Sequence, residues 1–402
     1  MDGLIVYIAG VEWDAVPGTD RNLVASLAGR APVLWVDPPV SPVRYLRVLR
    51  SGHRWDIGLK SVTPSITRLR VLAVPGTSRP LIRDLISMRV SRSVYRATSK
   101  CAPGSVVRAI VNASPEAVFP PGVNGRRLFY ITDDWVDGAR LIGMKSCRVR
   151  RRMLRNATDA HVIAAVTPGL AETIDREPSE IAVLPNGCTI PDAGTVSLPR
   201  LRPKDLPVGP VVALVGQINE RIDLSAVRAV ADAGVTVAVI GPRTERDEAT
   251  ATTIDELFEH RNIHWLGRKA ASELPDYLAG MDLGITPYLD TPFNRRSFPL
   301  KTLEYLAAGL RVISSDLPAT RALGCPQVAI AANPREFARL VVAKMAEERL
   351  VSAAECVAFA QLHTWEMRAT RLLELIEEDH SVRQPEGETD VHSDSTDGQL
   401  LP

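Results

Sequence analysis

The sequence predicts an α/β protein built from two successive parallel-sheet domains of similar size. Three observations carry that prediction. Short runs rich in Val, Ile and Leu alternate with amphipathic stretches, the pattern of strands joined by crossover helices. The alternation halts at a proline-rich break and then restarts. The chain has 402 residues, more than one hydrophobic core usually serves.

The first round opens with "LIVYIAG", an apolar strand, followed by the amphipathic "TDRNLVASLAGR" and the strand "PVLWVDP". "TRLRVLAVPG", "VVRAIVNAS", "RRLFYITDD", "DAHVIAAVTP" and "IAVLPNG" continue it, each ending in turn-forming or polar residues. Residues 1–187 form this first domain. The break "CTIPDAGTVSLPRLRPKDLPVGP" supplies the connection, residues 188–209. The second round covers residues 210–362. It runs through the strand "VVALVG", the helix "LSAVRAVADAG", the strand "VTVAVIGP" and the segments "IDELFEH", "IHWLG", "ELPDYLAGM" and "LGITPY". "RVISS" and "QVAIAA" end it. Residues 377–402 are acidic, poor in apolar side chains and predicted to be disordered. In an open α/β sheet, functional residues belong at the carboxyl ends of the strands.

Composition narrows the chemistry. Five cysteines lack CxxC spacing and seven histidines do not cluster, so neither a disulfide framework nor a zinc site is expected, and a reducing cytoplasm fits better. The first residues are apolar but carry Asp2 and no early Lys or Arg, which reads as a strand rather than a signal peptide. No run of about 18 apolar residues predicts a transmembrane helix. A net charge of +1 hides an asymmetry: residues 1–195 hold 26 Lys and Arg against 17 Asp and Glu, while residues 196–402 hold 22 against 30. The basic half points to an anionic partner, a phosphorylated acceptor or an anionic membrane surface rather than nucleic acid. G-x-G-x-x-G, the P-loop and the G-x-S-x-G elbow are all absent. Asp133 and Asp134 in "YITDDW" look like a metal-binding doublet, but no second ligand cluster lies nearby in sequence, so a strand-end polar role is favoured.

The stretch "SFPLKTLEYLAAGLRV", Ser297 to Val312, carries more information. Ser297 reads as an N-cap and Pro299 as a first-turn residue, whose missing N–H costs nothing there. Leu300, Leu303, Ala307 and Leu310 form the buried stripe. A helix start presents unpaired N–H groups that suit a phosphate. Lys301 in the first turn is disfavoured by helix electrostatics, and a bound diphosphate reverses that sign. Glu304, about a turn later, is placed to accept hydrogen bonds from ribose hydroxyls. A nucleoside diphosphate is the guest these features fit.

"FPLKTLEYLAAGLRVISS" resembles the donor-site signature of the GT-B glycosyltransferases of group 1, the large retaining family also numbered four. Other segments agree in order: "VVALVGQINERIDL", "VAVIGP", "NIHWLGRKAASELPDYLAGMDLGITPY", "VLPNG" and "HTWEMRATRLLELI". "GVEWDAVPGTDRNLVASLA" and "LFYITDDW" look like a bacterial subgroup associated with cell-envelope polysaccharides. The resemblance implies two Rossmann-like domains facing across a cleft, with residues 363–376 as a closing helix. It implies transfer of a UDP- or GDP-linked sugar with retention to an envelope glycan or lipid-linked acceptor, without cofactor or obligatory metal. Glu304 matches the second Glu of the family's E-x7-E motif, the ribose contact. Ser297, Phe298, Leu300 and Lys301 match the region that meets donor sugar and diphosphate, and Gly216 the glycine that admits phosphates to the backbone. Gly241, Leu266 and Gly267 end the neighbouring donor-domain strands. The chain departs from the pattern at Arg296, where the first motif Glu is expected, and at Gln217, Asp223 and Arg311, expected as Arg, Lys and Pro. Arg221 and Arg296 are the cations nearest to replace the lost ones.

The expected catalytic set is therefore Lys301, Arg221, Asp133 and Asp134. Gly10, Asp14 and Arg21, after the first strand, are expected on the acceptor side. Trp13, Trp135 and Trp365 read as packing residues rather than sugar platforms. The Arg-rich "RYLRVLRSGHRW" and "LIRDLISMRVSRSVYRATSK" suggest a peripheral place at the inner face of the cell membrane. Two alternatives stand beside the transferase: a sugar-nucleotide epimerase of the same fold, and an inactive homologue that only binds nucleotide-sugar or glycan.

Overall fold

The computed structural model describes residues 3–50, 55–73, 80–101, 106–140, 143–174, 176–177, 180–191, 202–347 and 349–378. Most of the expected tail and part of the expected 188–209 connection lie outside the described residues.

The first sheet has eight strands: β1 Leu4–Ile8, β2 Val33–Val36, β3 Gly58–Thr63, β4 Ile66–Arg70, β5 Val107–Asn112, β6 Arg126–Ile131, β7 Val162–Ala165 and β8 Ile181–Val183. Their spatial order is β3-β4-β2-β1-β5-β6-β7-β8. Every residue of β1, β2 and β7 is buried, because helices cover both faces and leave no side for polar alternation. One edge corrects the all-parallel expectation. β3 runs antiparallel to β4 as a hairpin joined by Pro64 and Ser65. "GLKSVT" is polar and largely exposed, so it lacked the apolar signal that marked its neighbours.

The second sheet is parallel throughout. It comprises β9 Val211–Val215, β10 Thr236–Ile240, β11 Ile263–Trp265, β12 Leu283–Thr286, β13 Val312–Ser315 and β14 Val328–Ala331, in the order β11-β10-β9-β12-β13-β14. In both sheets the strand order reverses beside the first strand, between β1 and β5 and between β9 and β12. The carboxyl ends flanking such a switch point leave a crevice. Both crevices open onto the same interdomain cleft.

Helices α1 Thr19–Leu27, α2 Pro42–Arg50, α3 Pro80–Cys101, α4 Ser146–Asp159 and α5 Pro168–Ala171 belong to the first domain. α6 Leu224–Asp232, α7 Glu248–Phe258, α8 Leu274–Ala279, α9 Pro292–Arg296, α10 Leu300–Ala307, α11 Pro318–Leu323, α12 Pro334–Met345 and α13 Arg349–Gln361 belong to the second. The last helix, α14 Trp365–Glu377, returns to the first domain. Its Trp365, Ala369, Leu372, Leu375 and Ile376 enter that domain's core. Trp135 is also buried there, and Trp13 packs edge-on against Trp35, as packing residues should. The chain thus crosses between the domains twice, and the crossings bond to each other. Cys188 N–H donates to His363 O at 2.8 Å and Trp365 N–H to Cys188 O at 3.2 Å. A Cβ on Gly187 would meet Trp365 N at 2.7 Å, so this close approach of two backbones demands glycine.

Candidate functional site

A cleft of about 2430 Å³ separates the two domains, and the carboxyl ends of β1, β5, β9 and β10 open into it. On the second-domain wall, Gly216 (φ +154°) and Gly241 (φ +147°) end β9 and β10. A Cβ on Gly241 would sit 1.7 Å from Gly216 O, an overlap only glycine avoids. The result is bare backbone facing the start of α10.

That helix begins two residues later than the sequence suggested, with Pro299 at its cap position. Ser297 is not its N-cap. Its N–H bonds back to Phe293 O and Asn294 O, closing α9, and its hydroxyl donates to Phe293 O and to Asp133 Oδ1, both at 3.0 Å. The residue before a proline avoids helical dihedrals, which excludes Phe298 and leaves Pro299 as the boundary. No side chain caps this start. Leu303, Ala307 and Leu310 are buried as expected, but Leu300 is half-exposed and lines the cleft. Tyr305 fixes the helix to the sheet by accepting a hydrogen bond from Val215 N–H at 2.7 Å. Lys301 Nζ donates to Glu304 Oε2 at 2.5 Å, and both line the cleft. Burial opposes the charge on Lys301, but the facing Glu304 carboxylate outweighs it and holds the ammonium pKa above the usual lysine value.

Arg221 reaches the same wall from the loop after β9. Its Nε donates to Asn294 Oδ1 at 2.9 Å, and its guanidinium lies over the Phe293 and Tyr288 rings. Asn294 is itself buried and donates to Arg221 O and Leu289 O, so the cation is held from both ends. Leu266 and Gly267 do not line the cleft. Leu266 packs against the core and Gly267 turns the chain (φ +67°), accepting from Gly241 N–H. Arg268 to Ser272, which the sequence reading missed, take their place on the wall.

The first-domain wall is built on buried carboxylates. Asp20, also missed, accepts from Gly10 N–H at 3.0 Å and Tyr7 Oη–H at 2.9 Å, which sets the Gly10 loop at the cleft. Burial pushes its carboxyl up to about 6, against the opposing pull of those two hydrogen bonds. Asp133 lines the cleft beside Ser297; burial raises its pKa, and nearby Arg221 works the other way. Asp134 is buried away from the lining, paired to Arg296 Nη1 at 2.7 Å. Arg296 is therefore absent from the donor-side lining where it was expected. Asp14 and Arg21 are absent too. Arg68 and Arg70, buried on β4 between β3 and β2, draw Asp14 into ion pairs at 3.0 and 2.8 Å, and Arg21 lies over Trp13. Farther along this wall Val40, Ile86, Val90 and Val94 form an apolar stretch, with Arg148 and Arg152 near it.

Gly10, Asp133, Gly216, Arg221, Gly241, Ser297, Phe298, Leu300, Lys301 and Glu304 thus converge on one cleft. Among the described residues, no group of three or more His, Cys, Asp or Glu is arranged to hold a metal ion.

Residues 209–347 match the family described as "Glycosyl transferases group 1". A Bacillus subtilis (strain 168) protein named for teichuronic acid biosynthesis, the glycosyltransferase TuaH, is 32% identical over 122 residues. That alignment covers 30% of this chain and 30% of the relative. Among solved structures, the UDP-forming trehalose-phosphate synthase of Burkholderia vietnamiensis superposes with a TM-score of 0.67 at 13% identity, covering 94% of this chain and 99% of that one. Anabaena HepE in complex with UDP and glucose gives 0.60 at 13% identity, covering 93% and 99%. The fold is thus that of the GT-B enzymes across both domains, and within the second domain residues 209–347 are similar to the group 1 glycosyltransferases.

Proposed function

We propose that this chain is a metal-independent, retaining hexosyltransferase. It moves a sugar from a UDP- or GDP-linked donor to a cell-envelope glycan or lipid-linked acceptor. The observation that carries the reading is the second-domain wall: two bare glycine strand ends, an uncapped helix start, Lys301 and Arg221 on one side, and Glu304 a turn deeper. A diphosphate laid over Gly216 meets the N–H groups at the start of α10 and two cations. Glu304 then exchanges Lys301 for the ribose hydroxyls, and Lys301 turns to the phosphates. Charge that develops on the departing diphosphate is stabilised by groups already in place, so little reorganisation is needed. Asp133, from the opposite wall, is the carboxylate closest to where donor sugar and acceptor hydroxyl meet. The HepE complex with UDP and glucose supports a donor of this class.

TuaH, by its name, supports the envelope acceptor. The lipid side of the reading rests on α2 and α3. α2 buries none of its residues and exposes Val43, Leu46 and Leu49 among Arg44, Arg47 and Arg50. α3 turns Ile86, Val90 and Val94 to the cleft and exposes Leu85, Met88 and Tyr95 between arginines on its outer side. Such a face suits a peripheral place on an anionic bilayer at the cytoplasmic side. Among the described residues no helix is long and apolar enough to cross a membrane.

Calorimetric titration with UDP, GDP and their common sugar conjugates tests the donor site. One base binds, and Glu304→Ala weakens it by roughly tenfold, the worth of a charge-assisted hydrogen bond. A chain that binds none of these has lost the donor-site reading. Incubation with donor alone separates the alternatives, since an epimerase needs no acceptor. With acceptor present, proton NMR of the product's anomeric signal reports retention.

A further inference from the structure

Arg296 stands where the resemblance implies a carboxylate that touches the donor sugar, and the structure gives it other partners. Its guanidinium Nη1 reaches Asp134 at 2.7 Å and Asp137 at 2.8 Å. Its backbone oxygen accepts from Thr167 Oγ1 at 2.7 Å, and its stem lies against Gly169. All of these belong to the first domain. Other residues at α9 cross in the same place. Phe293 packs on Gly138 so closely that a Cβ there would sit 2.4 Å from the ring, and Ser297 bonds Asp133. On its other side α9 carries Asn294, which holds Arg221 on the donor wall.

We propose that Arg296 is a positioning residue, an ionic clamp that seats α9 on the first domain and holds the cleft closed at its donor end. The same seating fixes Ser297 against Asp133 and steadies Arg221 through Asn294. The chemistry favours arginine here. One planar, always-charged group serves two carboxylates, one of them buried, and such hydrogen bonds are stronger than neutral ones. A glutamate at this position would face Asp134 and Asp137 and drive the domains apart. The benefit to catalysis rests on the transferase reading; the clamp itself is a property of the chain without ligand.

The test uses the full chain with Arg296→Glu, Arg296→Lys and Arg296→Gln, and the exchanged pair Arg296→Glu with Asp137→Arg. Small-angle scattering without ligand reads the closure, and hydrogen exchange reads the contact. Arg296→Glu should enlarge the radius of gyration. Exchange at Gly138 and Ala139, which lie in the other domain, should speed up roughly tenfold to a hundredfold while β9 and β10 stay protected. Arg296→Lys and the exchanged pair recover part of the protection, and Arg296→Gln falls between. Unchanged scattering and exchange in Arg296→Glu and Arg296→Gln overturn the clamp. So does tighter binding of UDP-glucose or GDP-mannose by Arg296→Glu, which would make residue 296 a sugar contact. Wild-type chain that binds no UDP or GDP refutes the donor reading and leaves the clamp to be decided by scattering and hydrogen exchange, neither of which needs a ligand.

Discussion

The two walls of the cleft share a parallel strand order around the switch point and are built from different materials. The second-domain wall uses backbone and net charge, with glycine strand ends, a helix start and the Lys301–Glu304 pair. Its polar centre is one short stretch, Ser297 to Glu304, set against the strand ends at Gly216 and Gly241 and the loops that carry Arg221 and Arg268. The first-domain wall uses one buried and one half-buried carboxylate and apolar side chains drawn from distant places, Gly10, Asp20, Asp133 and the inner face of α3. One wall takes its shape from backbone at the strand ends and a helix start, the other from side chains that only tertiary packing brings together.

Substituting a glycine in each wall should break this comparison most strongly. Gly241→Ala forces a Cβ onto Gly216 O, and backbone cannot swing aside. We expect a loss of about 3 kcal/mol or more in urea unfolding, with nucleotide binding abolished. Gly10→Ala also meets backbone, Ala113 O, but at 2.8 Å rather than 1.7 Å and without a positive φ, so about 1–2 kcal/mol is expected. Equal costs in the two would erase the contrast.

A pH titration sharpens the electrostatic side. The Asp20 carboxyl rises from its ordinary 3.8 to about 6 in the folded chain, so the folded state holds this proton more tightly. Its contribution is full below pH about 4 and is lost as pH rises through about 6, by on the order of 2–3 kcal/mol at about 1.4 kcal/mol per pH unit. Asp20→Asn should flatten that part of the stability profile, measured by denaturant melts across pH 4–7. A slope that survives in the variant assigns it elsewhere. On the opposite wall, Lys301→Ala should weaken UDP or GDP binding by roughly tenfold and reduce its salt dependence, with little change in the pH profile.

The smallest effect on folding belongs to α2. Leu46→Glu should leave stability within about 0.5 kcal/mol, because the side chain is exposed. Co-sedimentation with phosphatidylcholine vesicles containing phosphatidylglycerol should fall several-fold. Undiminished sedimentation removes α2 from the membrane reading.

The same contrast explains what could be read in the sequence. The helical part of the second-domain site was legible because Ser297 to Glu304 are neighbours in the chain and their spacing encodes the helix that presents them, while Arg268 to Ser272, brought in from another loop, carried no such signal. The cap was misread although its rule was available: Phe298 precedes a proline, which moves the helix start past Ser297. Asp14 and Arg21 were misplaced because their partners, Arg68, Arg70 and the Trp13 ring, are chosen by tertiary packing. Asp20 looked like an ordinary first-turn acid in "TDRN", and only the fold shows Tyr7 and Gly10 closing over it. Arg296 looked like a replacement ligand because the sequence names the position but not the two aspartates across the gap. β3 was invisible because an exposed edge strand has no apolar face to declare itself.

The two bonded crossings at Cys188 and Trp365 also set an order of assembly. Residues 210–362 are continuous, and the rest of their core, Cys188 and Leu206, precedes them in the chain, so they are free to fold as soon as they leave the ribosome. The first domain emerges earlier and cannot finish, because α14, the helix that completes its core, is synthesised after the whole second domain. Until then its helix α1 is left without the partner it packs against. The half of the protein made first is thus the half that matures last, and a chain released before Trp365 carries a finished second domain beside an unsealed first one.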